Sequence, residues 1–244
     1  MRISRLYTEE KLSAGSTVTL DKAASSYLIK VLRLTEGAEV HLFNGQLVNG
    51  DYGYYLSTLT LAGKKAEIST EKFIINNNQS PLKMTLLQGI SKGDHMDTTI
   101  QKAVELGVTD VIPVICERTV VNLKADRLDK KMRHWNGIAI SACEQSGRNQ
   151  LLTIHQPVQF KNIQLNDESG FILHPEAPAS MQESDKKESV SLLIGPEGGF
   201  TDNEISQSIE KGFKAVRFGP RVLRTETAAI AAVSIMQAQW GDLG

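Results

Sequence analysis

The sequence predicts an α/β protein with a smaller β-rich domain in front of it. Three observations carry this. From Leu82 onward, apolar runs of strand length alternate with segments whose apolar residues recur every three or four positions. Residues 1–75 instead hold short alternating runs, turn residues and a single helical pattern, the signature of a small barrel. Between them, Asn76-Asn77-Asn78-Gln79-Ser80-Pro81 is polar, repetitive and closed by proline, so residues 76–81 read as a linker and 82–244 as the second domain.

In the first domain, Thr17-Val18-Thr19-Leu20 alternates and meets Asp21, a good N-cap. A helix is expected over Lys22 to Arg33, with Ala24, Leu28, Val31 and Leu32 on one face. Glu39 to Phe43 is a strand closed by the turn Asn44-Gly45, and Tyr52 to Leu61 and Lys65 to Ile75 are two more. Nine Lys and Arg face eight Asp and Glu over residues 1–75. That balance fits a solvated mixed surface. Against it stand Arg2 and Arg5 in a possible strand, and Lys30 and Arg33 three apart on the helix, a grouping that would suit RNA.

In the second domain, Lys83 to Gln88 is a strand. A helix follows with Met96, Ile100, Ala103 and Val104 inward, ended by Gly107. Val111 to Ile115 is a strand whose Pro113 marks an edge or an irregularity. Asp126 caps a long helix that carries Leu128, Met132, Trp135, Ile138, Ala139 and Ala142, and Gly147 closes it. Strands follow at Leu152 to His155 and Phe171 to His174, then a long polar loop from Glu176 to Glu188.

The stretch from Val190 to Phe200 is a strand that stops at Gly195-Pro196 and turns through Gly198-Gly199. Thr201-Asp202-Asn203-Glu204 then has the pattern of a capping box, with Phe200 and Ile205 placed as a hydrophobic staple. The phosphate-binding patterns G-x-x-x-x-G-K-[ST] and G-x-G-x-x-G are both absent, and Glu197 would repel a phosphate. An adenosine bearing a cation suits the loop better; a plain turn whose glycines serve geometry alone is the other reading. Lys214 to Phe218 is the last strand. Thr225 is placed as N-cap and Glu226 in the first turn of a helix apolar nearly all round, which implies burial on both faces and a homodimer. The exits at His174-Pro175, Gly195–Gly199 and Phe218–Arg224 stand at similar positions in successive units, where open α/β sheets bind ligands.

Composition narrows the function classes. Hydrophobic residues are 41 % and charged ones 23 %, an ordinary globular balance, and the net charge of −1 gives no global field for nucleic acid. No apolar run has the roughly 20 residues of a membrane span. Cys116 and Cys143 form no C-x-x-C and, with no signal peptide, read as reduced thiols of a cytoplasmic protein. The five histidines show no metal-ligand spacing, so no metal is expected.

The pair Ile194-Gly195-Pro196-Glu197-Gly198-Gly199 and Gly219-Pro220-Arg221-Val222-Leu223-Arg224-Thr225-Glu226-Thr227-Ala228 resembles the paired signature of the SPOUT methyltransferases. With Met1 to Arg5, Lys30 to Arg33, Ile100 to Val108, Cys143 to Arg148 and the end Gly241 to Gly244, the whole chain is similar to the bacterial RsmE family. The resemblance implies methylation of N3 of a uridine in 16S ribosomal RNA of the small subunit. The resemblance implies a PUA-like β-barrel joined to a SPOUT domain with a trefoil knot, a threading that general rules treat as rare. It implies S-adenosylmethionine bent between three loops: Leu173, His174 and Pro175; Ile194 to Gly199; and Phe218 to Ala228. Within the third, Phe218, Gly219, Val222, Leu223, Arg224, Thr225, Glu226, Thr227 and Ala228 are the expected cofactor contacts. It also implies a homodimer through the last helix, and RNA contacts from Arg2, Arg5, Lys30 and Arg33.

On that reading, uridine N3 is a poor nucleophile until its proton leaves. A base could take the proton, or cations could draw charge onto O2 and O4. Arg148 and Arg224 are the candidates for the cationic role, with phosphate binding as their alternative. Glu197 and Glu226 are more simply explained by helix capping and by the cofactor's charge, and His174 as a pocket wall. Two rivals stay open: an RNA-binding assembly protein without catalysis, and a related methyltransferase acting on another base.

Overall fold

The structure is a computed structural model that describes residues 3–62, 64–120, 125–165, 169–180 and 185–244. It divides into two compact units. Unit 1 runs to Gln79 and takes in Cys143–Leu151, which the sequence had placed with the second domain; unit 2 is Ser80–Ala142 with Leu152–Gly244.

Unit 1 is a five-stranded sheet in the order β1-β3-β4-β5-β2, made of β1 (Ser4–Tyr7), β2 (Thr17–Thr19), β3 (Glu39–Phe43), β4 (Gly53–Ala62) and β5 (Ala66–Ile75). The β1–β3 pair is parallel and the others are antiparallel. Were the sheet flat, its edge strands would lie about 19 Å apart. Yet Leu6 of β1 and Val18 of β2 share one buried cluster with Val40, Leu42, Leu59 and Ile68, so the sheet curls around its core. Asp21 caps α1 (Lys22–Ser26) by accepting from the Ala24 amide at 2.7 Å, as its residue type predicts.

The expected helix to Arg33 does not continue as an α-helix. Tyr27–Val31 is a π-turn in which the Leu32 amide donates to the Tyr27 carbonyl at 2.9 Å. Ala24, Leu28 and Leu32 face the core as predicted, and the wider turn exchanges Val31 for Ile29. Ile29 packs on the core, and Val31, predicted inward, is 65 % exposed. Arg33 lies beyond the helix in left-handed conformation, φ 55°.

The predicted linker is polar because its side chains and backbone are used. Within unit 1, Asn78 Nδ2 donates to the Gly147 carbonyl, Gln79 Oε1 accepts from Arg148 Nε, and the Asn76 carbonyl accepts from Asn149 Nδ2.

Unit 2 is an all-parallel sheet in the order β11-β13-β10-β12-β6-β7-β8, with β9 also on β7. Its strands are β6 (Lys83–Gly89), β7 (Asp110–Ile115), β8 (Thr153–Ile154), β9 (Val158–Gln159), β10 (Gly170–Leu173), β11 (Ala179–Ser180), β12 (Ser189–Ile194) and β13 (Phe213–Arg217). The helices are α2 (Asp94–Glu105), α3 (Ala125–Ser146, whose last turn from Cys143 belongs to unit 1), α4 (Asp202–Glu210) and α5 (Thr225–Trp240). Adjacent residues of the central strands point to opposite faces. Leu87, Ile172 and Leu193 join Phe160, Phe200 and Phe213 in one cluster; Phe171 stacks on Trp240 of α5 at 5.9 Å between centroids.

Pro113 marks an irregularity rather than an edge. β7 pairs with β6 along one side, and on the other β8 covers Asp110–Val111 and β9 covers Val114–Ile115, leaving Pro113 in the gap. The Glu176–Glu188 stretch, expected as loop, contributes β11, which pairs with β13. The cap expected from Asp126 lies outside the described side chains. No described helix is long and apolar enough to cross a membrane.

Candidate active site

Because the strands of unit 2 run parallel, their exit loops gather at one edge of the sheet. There the exits of β10, β12 and β13 enclose a cavity of about 540 Å³, within the usual size range of small-molecule sites. Leu173, His174 and Pro175 line it from β10. Ile194, Gly195, Pro196, Glu197, Gly198 and Gly199 line it from β12, and Phe218, Gly219, Val222, Leu223, Arg224, Thr225, Glu226 and Ala228 from the β13–α5 segment. Of the residues expected to hold a cofactor, Thr227 alone falls outside the lining; it lies in the first turn of α5, exposed to solvent.

Three ties hold the glycine loop. The Glu197 carboxylate accepts from the Lys92 amide at 2.7 Å, so Oε1 is occupied by the fold. Arg118 donates to the carbonyls of Gly198 and Phe200 at 3.0 and 3.1 Å. Thr225 Oγ1 donates to the Gly195 carbonyl at 2.6 Å and accepts from Gln88 Nε2 at 2.9 Å. Thr225 is therefore not the helix cap the sequence suggested. Arg224 occupies the cap position without a capping side chain, and the threonine hydroxyl, one residue inside, is spent across the sheet edge.

The loop's approach to β6 leaves no space: a Cβ on Gly89 would stand 2.4 Å from the Pro196 nitrogen. Beyond the loop, Thr201 and Glu204 form the predicted capping box, and Glu204 Oε1 also accepts from the Glu117 amide at 2.9 Å. Phe200 and Ile205 meet in the same core cluster, as a staple requires.

His95, Phe200 and Arg221 also line the cavity and were missed. His95 stands in the first turn of α2, and its Nδ1 is 3.0 Å from Glu226 Oε2. The signal for it was available: Ser91-Lys92-Gly93-Asp94 is the exit of β6, the strand beside β12, and so a fourth loop at the same edge.

The walls are apolar at Leu173, Ile194, Phe218, Val222 and Leu223. Carboxylates stand at Glu197 and Glu226, and guanidinium groups at Arg221 and Arg224. No lysine lines the cavity among the described residues. This donor set suits a flat base and ribose that carry both a cation and a carboxylate, and suits a polyphosphate poorly. Among the described residues there is no group of three His, Cys, Asp or Glu that could hold a metal.

The other predicted site residues belong to unit 1. Arg148 is 3 % exposed and its Nε donates to Gln79 Oε1 at 2.9 Å. Arg5 is a half-buried cation rather than an open one. Its guanidinium sits over the rings of Phe43 and Tyr54, at 5.1 and 5.2 Å, and donates to Asn149 Oδ1. Burial holds its pKa below the usual arginine value. Lys30 and Arg33 are exposed, and Arg2 lies outside the described residues.

Comparison with known proteins gives one consistent result. The RNA methyltransferase domain family matches residues 78–237. The ribosomal RNA small subunit methyltransferase E of Buchnera aphidicola subsp. Schizaphis graminum is 37 % identical over 246 residues, covering 99 % of this chain and 98 % of that protein. A Legionella pneumophila protein assigned as a methyltransferase, solved with its cofactor SAM, superposes with a TM-score of 0.94 at 38 % identity over the full length of both chains. The ribosomal RNA small subunit methyltransferase E of Neisseria gonorrhoeae, solved with S-adenosyl methionine, gives 0.88 at 36 % identity, again over all of both chains. Full-length identity at this level, together with the three-loop cavity, places the chain in the ribosomal RNA small subunit methyltransferase E family of RNA methyltransferases.

Proposed function

We propose that the protein transfers a methyl group from S-adenosylmethionine to N3 of a uridine in 16S ribosomal RNA of the small subunit, in the cytoplasm. The observation that carries the reading is the cavity, which gathers three strand exits, each with a proline and two of them with glycines, in one family-matched unit. Bound S-adenosylmethionine supplies an electrophilic methyl on a sulfonium. The apolar walls would hold the adenosine, Arg221 would meet the cofactor's carboxylate, and Glu226 would favour the cationic sulfur.

The chain's work is alignment and charge control. Arg224, exposed at the cavity, is assigned to stabilise the uridine anion, whereas Arg148, buried in unit 1 with its Nε on Gln79, is assigned to the packing of that unit. RNA is taken by Arg2, Lys30 and Arg33, with Arg5 bracing the surface through Phe43 and Tyr54. Three further parts belong to the same proposal. The curled sheet of unit 1 is a PUA-like barrel. Unit 2 carries a trefoil knot, a reading supported by β13 lying across β10 from β12. Helix α5 joins two copies, a reading supported by Ile235, 41 % exposed on an otherwise apolar helix.

Mass spectrometry of ribosomal RNA incubated with the protein and S-adenosylmethionine tests the activity; a 3-methyluridine gain is expected, and an unmodified RNA overturns the reading. Arg224→Ala is expected to lower turnover about 100-fold, the scale of losing one transition-state donor, while cofactor affinity by calorimetry changes little. Lost affinity with normal turnover at saturation would remove the assigned role. Light scattering at micromolar protein tests the dimer.

A further inference from the structure

Two carboxylates face the cavity, and they are differently placed. Glu197 is tied by Oε1 to the Lys92 amide. Glu226 Oε2 is shielded from solvent and has no aligned hydrogen-bond donor among the described residues, with His95 Nδ1 3.0 Å away as its counterpart. The imidazole is 36 % exposed, lines the cavity, and makes no hydrogen bond through Nε2 among the described residues. A carboxylate oxygen 3.0 Å from Nδ1 attracts the ring proton to that nitrogen by charge alone and leaves the Nε2 lone pair open, an arrangement that makes imidazole a general base.

We infer that His95, oriented by Glu226, is the general base that takes the proton from the RNA base nitrogen being methylated. The inference rests on the function proposed above and supplies the missing acceptor. His95 Nε2 accepts the proton of the ring N–H. The electron pair left on nitrogen forms the new N–C bond, while the methyl–sulfur bond breaks with its pair on sulfur. The imidazolium is balanced by Glu226 and, being partly exposed, returns its proton to solvent. Arg224 and this base divide the work: one draws charge from the ring, the other removes the proton.

Other ionisable groups near the imidazole are limited. Glu197 comes from the β12 exit, His174 from the β10 exit, and Arg221 and Arg224 from the β13–α5 segment. On its own segment stand Lys92, whose carbonyl accepts the His95 amide, and Asp94, with Asp97 already paired to His134 of α3 at 2.7 Å. Among the described residues, Glu226 alone lies within ion-pair distance of the ring.

Two measurements test this. The tautomer of His95 is read by two-bond ¹H–¹⁵N correlation on the whole protein, its signal located by disappearance in His95→Gln. Hydrogen on Nδ1 is expected in the wild type, with that preference lost in Glu226→Gln. Single-turnover methylation of ribosomal RNA is then followed against pH. The wild-type rate should rise with pH, as general-base catalysis requires. His95→Gln should be slower by about 100-fold or more, the usual worth of a general base, without that rise and with unchanged calorimetric affinity for S-adenosylmethionine.

A His95→Gln enzyme with the wild-type rate and profile overturns the inference. So does a tautomer indifferent to Glu226→Gln, and so does a parallel loss of cofactor affinity, which would make His95 a wall. If the wild type transfers no methyl to ribosomal RNA at any pH, the parent reading fails and takes this one with it.

Discussion

Glu144 shows how a residue outside the cavity sets pH behaviour. Its Oε1 accepts from the Tyr7 amide at 2.9 Å, within unit 1. Burial raises its pKa above the ordinary glutamate value, against the pull of the Tyr7 hydrogen bond and Arg5. A raised carboxyl binds its proton more tightly folded than unfolded, so the folded protein holds more protons from that ordinary value up to the raised one. Stability therefore falls as pH rises through that window, with a slope of at most about 1.4 kcal/mol per pH unit. Glu144→Gln is expected to remove this component, which urea titrations at a series of pH values would read as a flatter profile; equal slopes in the two proteins would refute it. Such roles are only partly legible in a sequence. Thr201 and Glu204 announce their capping box because the partners are three apart, whereas the bond from the Glu117 amide to Glu204 spans 87 positions and carries no local mark. Arg5 was readable as a cation and not as a half-buried one, because Phe43, Tyr54 and Asn149 reach it only through the fold.

At the scale of elements, the loops were visible because glycine and proline punctuate strands, and the errors fall where tertiary contacts outbid local preference. The π-turn at Tyr27–Val31 serves the core of unit 1. The start of α5 is the sharper case. Threonine before an apolar run suggests a cap, yet the Thr225 hydroxyl links Gln88 of β6 to the carbonyl of Gly195, so one side chain fixes two strand exits. Thr225→Val keeps the shape and deletes these two bonds and the weaker one from Ser91 Oγ, leaving the Gly195 carbonyl without this donor in a site where Gln88 Oε1 already lacks a partner among the described residues. A loss of about 1–3 kcal/mol is expected in denaturant unfolding, the range for a buried group left unpaired. Weaker S-adenosylmethionine binding should accompany it, because the loop geometry is no longer imposed. A variant with unchanged unfolding and affinity would show that packing alone positions the loop.

For the whole molecule, the division into two units makes a prediction about how ligand binding is felt along the chain. Each unit holds one buried thiol: Cys143 in unit 1, and Cys116 in unit 2. Burial, with Glu204 adding to it, pushes the Cys116 thiol up to about 12, so it is protonated and unreactive at neutral pH until the structure opens. Cys116 shares its cluster with Leu193 and Phe200, which flank the glycine loop, whereas Cys143 bonds the Gln150 carbonyl within unit 1. A ligand that binds only the folded form of unit 2 should suppress its opening by the factor 1 + [L]/Kd. At a hundredfold excess of S-adenosylmethionine over its Kd, labelling of Cys116 in sub-denaturing urea is expected to slow about 100-fold. Cys143, assigned to unit 1, should keep its ligand-free rate. Mass-resolved labelling of the two thiols in one sample checks both rates together. Equal slowing of both would mean that the two units open as one cooperative body, and that a cofactor bound in one stabilises the RNA-facing surface assigned to the other.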